Sequence, residues 1–405
     1  MAAKSPWTIA TSLSVIFLLS NLPTPLYVVY QEQFGFSQIT LTLVYSAYVA
    51  GTLLTMFFLG RLSDQIGRRP VMLASLGLAA ASAVLFLLAR STPWLYAARI
   101  VSGIAIALAS GASTAWVVEL EPHGDQGRGT RIAIGANDIG LALGPLLAGV
   151  LADFAPAPLR LSYWLFLAVL IPAAFLALRT KETGAGKPIE EASFEPQLGV
   201  KKEKRGGFVA PAVGAFAAFA VLGFYSALIP TLLGKELHLK SHTLAGGIVA
   251  LLFGCGTVAI AWKPSLPDPR GLRGSLVALL PGTVLLVVAE ALRSLPCLIA
   301  ATIIGGFATG LAYRSSLRAV NALVPDEERS GMVSAYLIVC YAGISLPVIG
   351  IGLLGTALSP LATNAIFAGV VCVAAIVALV VSKTKTRTNT KPTPSPKTRT
   401  SATTA

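Results

Sequence analysis

Charge is what this 405-residue chain has least of: Asp, Glu, Lys and Arg make up 12% of it, against 55% for the hydrophobic types. A soluble domain carries about 25% charged residues, so a soluble globule is excluded. Histidine is scarcer still, with His123, His238 and His242 the full set, all in loops between apolar runs. Cysteine numbers four, and Cys255, Cys297, Cys340 and Cys372 lie in or beside apolar runs, where they read as packing residues. No C-x-x-C pair or His/Cys cluster of ligand spacing occurs, so no metal is implied. Acids, histidines and nucleophiles are nowhere clustered, which argues against a membrane-embedded enzyme and implies no cofactor. No A-x-A cleavage site follows Lys4, and the apolar run behind it continues to Tyr30, which favours a retained first helix over a signal peptide.

What the chain has in abundance is long apolar stretches. A bilayer core about 30 Å thick needs roughly 20 apolar residues per helix. The pattern predicts helices near 7–30, 40–60, 70–90, 94–120, 132–153 and 160–179, then near 208–233, 243–262, 274–292, 296–320, 331–355 and 360–382. The fold class is therefore an all-α membrane protein of twelve spans. Residues 1–180 form a first six-helix bundle, 181–207 a charged cytoplasmic linker and 208–382 a second six-helix bundle. The tail 383–405, made of Lys, Thr and Pro with almost nothing apolar, cannot bury a core and is expected to be disordered.

The net charge of +13 raises nucleic acid as a partner, but its distribution points to the bilayer. Counting loops from a cytoplasmic N-terminus puts 25 Lys and Arg on one side and five on the other, with Arg99 inside a span. The positive-inside rule then places both termini and the linker in the cytoplasm of a multi-pass inner-membrane protein. The halves also repeat. At an offset of 204, Leu62, Asp64, Gly67 and Arg69 meet Leu266, Asp268, Gly271 and Arg273 in the loops after spans 2 and 8. Arg128 and Arg329 likewise open the turns before spans 5 and 11. Two related six-helix halves are what a parallel-repeat carrier requires.

The loop Gly-Arg-Leu-Ser-Asp-Gln-Ile-Gly-Arg-Arg at 60–69 resembles the signature G-x-L-x-D-x-x-G-R-[RK] of the major facilitator superfamily. Gly60 and Gly67 permit a tight connection, and Asp64 suits a helix N-terminus. The resemblance implies a twelve-helix carrier of the bacterial drug:proton antiporter group. It also implies that Asp64, Arg68 and Arg69 latch the halves together near Ser330 and Gly331; the plainer reading of the arginines is topological charge. Arg99-Ile-Val-Ser-Gly103 resembles the family's R-x-x-x-G element, which assigns Arg99 to proton coupling. An arginine within the bilayer costs at least ~2.5 kcal/mol and should face protein or a cavity. Asn21, or carbonyls freed by Pro23 and Pro25, are its expected partners, and the alternative is a snorkelling anchor. Gly140, Gly144, Pro145 and Gly149 resemble the G-x-x-x-G-P-x-x-G-G element of antiporters, with Ala148 replacing a glycine. Their spacing lets helices approach closely around a proline bend.

The substrate cavity is expected along span 1, where two mid-membrane prolines need a cavity or protein to satisfy the backbone. Its candidate residues are Asn21, Thr24, Tyr27, Tyr48, Asn137, Tyr225, Tyr313 and Tyr336. Asp138 is the best intramembrane acid for carrying a proton, the alternative being a structural pair with Arg131 or Arg128. Glu290 is expected to pair with Arg293 at the membrane edge. Together these features point to a monomeric, proton-coupled exporter of small amphipathic or lipophilic compounds, its partners being that substrate, protons and lipid. The alternative is an uptake carrier for a sugar, amino acid or organic acid. No core acid occurs in span 1, where many family exporters carry one.

Overall fold

The apolar runs form helices because the hydrocarbon core offers no other partner for backbone N–H and C=O groups. The protein is described by a computed structural model covering residues 5–184, 186, 202–262, 268–324 and 329–388. Lys4, most of the linker, residues 263–267 with Leu266 of the repeat, and the tail beyond 388 lie outside the described residues. Among the described residues twelve helices are long and apolar enough to cross a bilayer.

The first span is two helices, α1 (Pro6–Asn21) and α2 (Pro23–Phe34). It breaks at Leu22 because Pro23 and Pro25 remove two donors from the ladder within three residues. Gly35, at φ 68°, ends α2 in a left-handed cap. Spans 2 to 6 follow as α3 (Gln38–Leu59), α5 (Arg68–Leu87), α6 (Thr92–Glu119), α7 (Gln126–Phe154) and α8 (Pro158–Arg179), with the short α4 (Leu62–Ile66) in the signature loop. Ser37 and Asp125 cap α3 and α7 by accepting from Thr40 and Arg128 N–H. The Asp125 cap starts α7 six residues ahead of the apolar run. The second half contains α9 (Lys202–Thr231), α10 (His242–Trp262), α11 (Asp268–Ala291), α12 (Leu295–Asn321), α13 (Arg329–Leu354) and α14 (Pro360–Thr388). Helix α9 takes in residues 202–207 of the expected linker and runs on into a π-turn at Leu232–Glu236 after Pro230.

Packing repeats with the sequence. Helix α1 packs on α6, α7 and α8; α3 packs on α6; α5 packs on α6 and α8. Six spans later α9 packs on α12, α13 and α14; α10 on α12; α11 on α12 and α14. The two bundles meet along a seam formed by α7 against α10 and α3 against α13. Large apolar side chains stand outward around them, Phe154 at 79% exposure and Ile171 at 70%, as expected where lipid is the solvent. Below, the face where α1 begins is the near face and the opposite one the far face.

Candidate functional site

Between the bundles lies a cavity of about 220 Å³, walled by α1, α3, α6 and α7 on one side and α9, α10, α12 and α13 on the other. Phe17, Tyr48, Phe219, Phe253, Tyr313 and Tyr341 supply aromatic surface. Asn21, Asn137, Ser226 and Thr309 supply polar groups. Asp138 is the single carboxylate of this wall, and no Lys, Arg or His joins it among the described residues. The wall reaches Thr130, Leu317 and Ile260, close to the near-face ends of their helices.

The far face is closed along the seam. Gly246 of α10 rests on the Pro145 carbonyl so tightly that a Cβ there would lie 2.1 Å from the oxygen. Gly149 stands the same way against the His242 carbonyl, at 2.3 Å. At the mouth, the Asp153 carboxylate accepts from His242 N–H (2.9 Å), Thr243 N–H (2.8 Å) and Ser241 Oγ (2.9 Å), capping α10 from the other half.

Asp138 faces across the seam. Thr257 Oγ1 of α10 lies 3.1 Å from its Oδ2 and 3.0 Å from the Phe253 carbonyl, so one hydroxyl proton has two acceptors in reach. The arginines weighed as partners for Asp138 pair elsewhere, Arg128 with Glu121 (3.4 Å) and Arg131 with Asp125 (3.9 Å). Beside it, Asn137 keeps a buried Oδ1 without a hydrogen bond.

The other side of α7 is fixed to α1. Pro145 has no N–H, which orphans the Leu141 carbonyl one turn earlier. Asn21 Nδ2 donates to that carbonyl at 3.3 Å, so this cavity residue mends the break made by the proline. Gly140 and Gly144 lie on the same side, where Cβ atoms would meet the Ser14 and Leu18 carbonyls at 2.2 and 2.3 Å. Pro230 likewise leaves the Ser226 carbonyl without its helical donor, in the cavity wall.

Arg99 is fully buried. It donates to the Ser20 carbonyl (2.8 Å), in the turn that the span 1 prolines interrupt, and to the Tyr45 carbonyl (3.4 Å). Its guanidinium lies 4.4 Å from the centre of the Tyr48 ring, so that ring separates it from the cavity. Asn21 is therefore engaged with α7 rather than with Arg99, and burial excludes the snorkelling arrangement.

In the signature loop Arg68 is buried, reaching Asp64, Ser63 Oγ (3.0 Å) and Glu119 (2.7 Å), all in the first half. Arg69 donates to the Thr180 carbonyl. Gly60 closes α3, and Gly67, at φ 105°, makes the turn into α5. The carboxylate on the α5 N-terminus is Glu182, which accepts from Arg68 N–H (3.0 Å) and Arg69 N–H (2.8 Å). Partial burial pushes the Glu182 carboxyl up, but backbone donors from Gly184, Arg69, Arg68 and Thr183 outweigh it and hold it below the ordinary carboxylate range. Asp64 stays largely exposed, at 59% of its side chain.

Of the eight cavity candidates, Asn21, Tyr48, Asn137 and Tyr313 line the cavity. Thr24, Tyr27, Tyr225 and Tyr336 are buried within the bundles instead, Tyr225 bonded to Thr302 (3.2 Å) and Tyr336 to Ser316 (2.6 Å). Thr257, Ser226 and Asp153 were not singled out by the sequence. Thr257 and Ser226 were legible only as lone hydroxyls in apolar runs, and Asp153 as an acid at a span end. Glu290 accepts from Asn364 of α14 (2.8 Å) rather than pairing with Arg293, whose backbone is left-handed at φ 49°.

A model described as the Major Facilitator Superfamily matches residues 9–289. Among curated proteins, the chain is 28% identical over 192 residues to the tetracycline resistance protein, class C, of Escherichia coli, covering 46% of this chain and 47% of that one. It is 38% identical over 98 residues to the class H protein of Pasteurella multocida, covering 24% of each. The chain thus matches about half the length of the first relative and a quarter of the second. Among solved structures, it resembles the nucleoside transporter NupG with a TM-score of 0.72 at 15% identity, covering 93% of this chain and 99% of that one. It also resembles a bacterial homolog of the human lysosomal transporter Spinster, inward-facing and occupied, with 0.67 at 16%, covering 96% and 98%. These structural likenesses show the fold.

Proposed function

This chain belongs to the Major Facilitator Superfamily, and we propose that it exports small amphipathic or lipophilic compounds in exchange for protons by alternating access. The observation that carries this reading is Asp138, a lone carboxylate in an aromatic cavity, bridged to Thr257 of the opposite half. The partial likeness to tetracycline resistance proteins supports drug export as the direction. By the charge count, the near face is cytoplasmic, so the cavity loads from the cytoplasm.

The chemistry follows from one hydroxyl. With Asp138 ionised, Thr257 donates to it and ties α10 to α7. A proton on Asp138 converts an acceptor into a donor, and Thr257 turns to its second acceptor, the Phe253 carbonyl. Proton occupancy is thereby read across the seam without any other charge in the wall. The aromatic rings hold the substrate by area and stacking, and the Ser226 carbonyl and Asn137 Oδ1 orient it. When the far face opens, Asp153 releases the α10 N-terminus to water. Asp64, exposed at the near face, then latches the first half to the start of α13, with Arg68 and Arg69 holding the loop in shape.

The test is everted vesicles energised with a proton gradient and challenged with lipophilic cations and neutral amphipaths. Wild type should dissipate the gradient for some of these compounds. Asp138→Asn should abolish the response at normal membrane levels, and Asp64→Ala should slow it. A panel that leaves the gradient untouched, together with an Asp138→Asn strain as drug-tolerant as wild type, sinks the antiport reading. Normal rates for Asp64→Ala remove the latch.

A further inference from the structure

Between described residues, a single basic side chain pairs with a carboxylate across the seam, and it does so at the far mouth. His242, the first residue of α10, sets its Nδ1 2.9 Å from Oδ1 of Asp153, in the last turn of α7. A carboxylate only accepts, so Nδ1 carries a proton at that distance whatever the charge on the ring. Nε2 has no protein partner among the described residues, and 27% of the side chain is exposed, so water reaches that nitrogen. The second proton of an imidazolium therefore comes and goes on Nε2 while Nδ1 stays bonded.

The pair is not needed to build α10. Ser241 Oγ accepts from Leu244 N–H at 3.1 Å, so the helix keeps a cap of its own when Asp153 leaves. What the pair adds is a tie between the halves whose strength follows the charge on the ring. A charge-assisted hydrogen bond is roughly twice as strong as a neutral one. Parting the halves takes an imidazolium away from its counter-charge, so a proton binds more tightly while the far face is closed. By linkage, closure is favoured in acid and loses that advantage as the pH rises through the imidazole range, about pH 5–8.

The elements packed against α10 bring no rival partner to the pair. Helix α2 bears the exposed Glu32, and Lys235, Glu236, His238 and Lys240 lie between α9 and α10. Arg293 precedes α12, which has no further Asp, Glu, His, Lys or Arg before Arg314, and Arg160 opens α8 beside α7. None of these forms an ion pair with His242 or Asp153. On α7 itself the other acid facing α10 is Asp138, about four turns deeper.

We propose that His242 and Asp153 form a pH-sensitive gate: a proton on His242 holds the far face shut, and its loss lets α10 part from α7. The inference rests on the alternating-access reading, in which the halves separate at that face. By the charge count the far face is the outer one, so acid outside slows the opening step. Protons that drive exchange enter by the same mouth, and their abundance thus tightens the gate they must pass, which limits their entry when no substrate is carried.

The test uses the full chain in detergent, free of native cysteines, with His123→Gln and His238→Gln leaving His242 the one imidazole. Asp138→Asn is added so that the transport acid cannot titrate. Spin labels on exposed Gln33 and Ala357 report the far-face gap by pulsed electron resonance. The ratio of open to closed should rise about tenfold between roughly pH 5 and pH 8, equivalent to one unit of difference in proton affinity. His242→Gln and Asp153→Asn, each in this background, should flatten the response; two variants guard against one failing to fold, and the parent titration stands by itself. A ratio that ignores pH, or falls as pH rises, overturns the proposal. So does an undiminished rise in His242→Gln, since another group then titrates. If Asp138→Asn proves harmless to export while the ratio still titrates through His242, the antiport reading falls and the gate stands.

Discussion

Placing a methyl group at Gly246 separates the conformational states from overall stability. The added Cβ would sit 2.1 Å from the Pro145 oxygen and 2.7 Å from its carbonyl carbon, where real contacts stay beyond 3.0 Å. Helix α10 must therefore retreat from α7 by about 1 Å, because the obstacle is backbone and cannot rotate away. Overpacking of this kind costs about 1–3 kcal/mol. The contact crosses the seam, so the cost falls on the far-face-closed state and vanishes once the halves part. The equilibrium should shift about 5- to 150-fold toward the opened state. Gly144→Ala is the control. Its Cβ meets the Leu18 carbonyl at 2.3 Å, an equally hard clash, but within one bundle. Spin labels on exposed Gln33 and Ala357, in a background lacking the four native cysteines, report the far-face gap by pulsed electron resonance. Gly246→Ala should populate a longer distance, while Gly144→Ala should lower Tm and leave the distances alone. If both variants give the wild-type distribution, or if Gly144→Ala opens the far face as well, the seam argument is wrong.

Two further predictions concern contacts that do not move. Asn21→Ala strands the Leu141 carbonyl and should cost about 1–3 kcal/mol, read as a lower Tm in detergent; adding Pro145→Ala restores the backbone donor and should recover most of the loss, and simple additivity of the two changes refutes the pairing. Glu182 contributes stability above the ordinary carboxyl range near 4.3, and loses it as pH falls through its lowered folded value, so the Tm gap between wild type and Glu182→Gln should be widest near neutrality and close in acid; a gap independent of pH counts against the cap.

The spans were legible because a bilayer imposes one length and one composition on every crossing, and the signature loop was legible because its glycines and charges are local. Partners across the bundle were not. Asn21 looked like a cavity amide from its neighbours in sequence, yet its Nδ2 answers Pro145, 124 positions away. Glu182 sat in a stretch read as linker, and only the return of α8 to the near face brings it onto the α5 N-terminus. The tyrosines shared one sequence signal, an aromatic in an apolar run, and the fold divides them. Tyr48 and Tyr313 reach the cavity, while Tyr225 and Tyr336 spend their hydroxyls inside a bundle. Which face a residue presents depends on rotation about the helix axis, and packing sets that.

Helix α7 shows why the halves should move as bodies along the seam rather than come apart elsewhere. Toward α1 its contacts include hydrogen bonds within the membrane: Asn21 to the Leu141 carbonyl, and Ser14 Oγ to the Ala136 carbonyl at 2.7 Å. Parting those helices would strand the Leu141 carbonyl, which has no donor of its own, at a cost of about 1–3 kcal/mol. Toward α10, Gly246 stands against the Pro145 carbonyl, a contact that loses only dispersion when it separates, and Gly149, nearer the mouth, adds a long bond from Thr243 Oγ1 at 3.3 Å. The polar contacts on that side sit where something can replace them. Asp153 and the N-terminus it caps lie at the far mouth, where water can take over their hydrogen bonds when the halves part. The bond from Thr257 to Asp138 has a second acceptor already within reach. Toward α1, then, α7 holds one bond, from Asn21 to the orphaned Leu141 carbonyl, that nothing replaces, while toward α10 its polar contacts have water or a second acceptor at hand, which makes the seam the surface of least resistance.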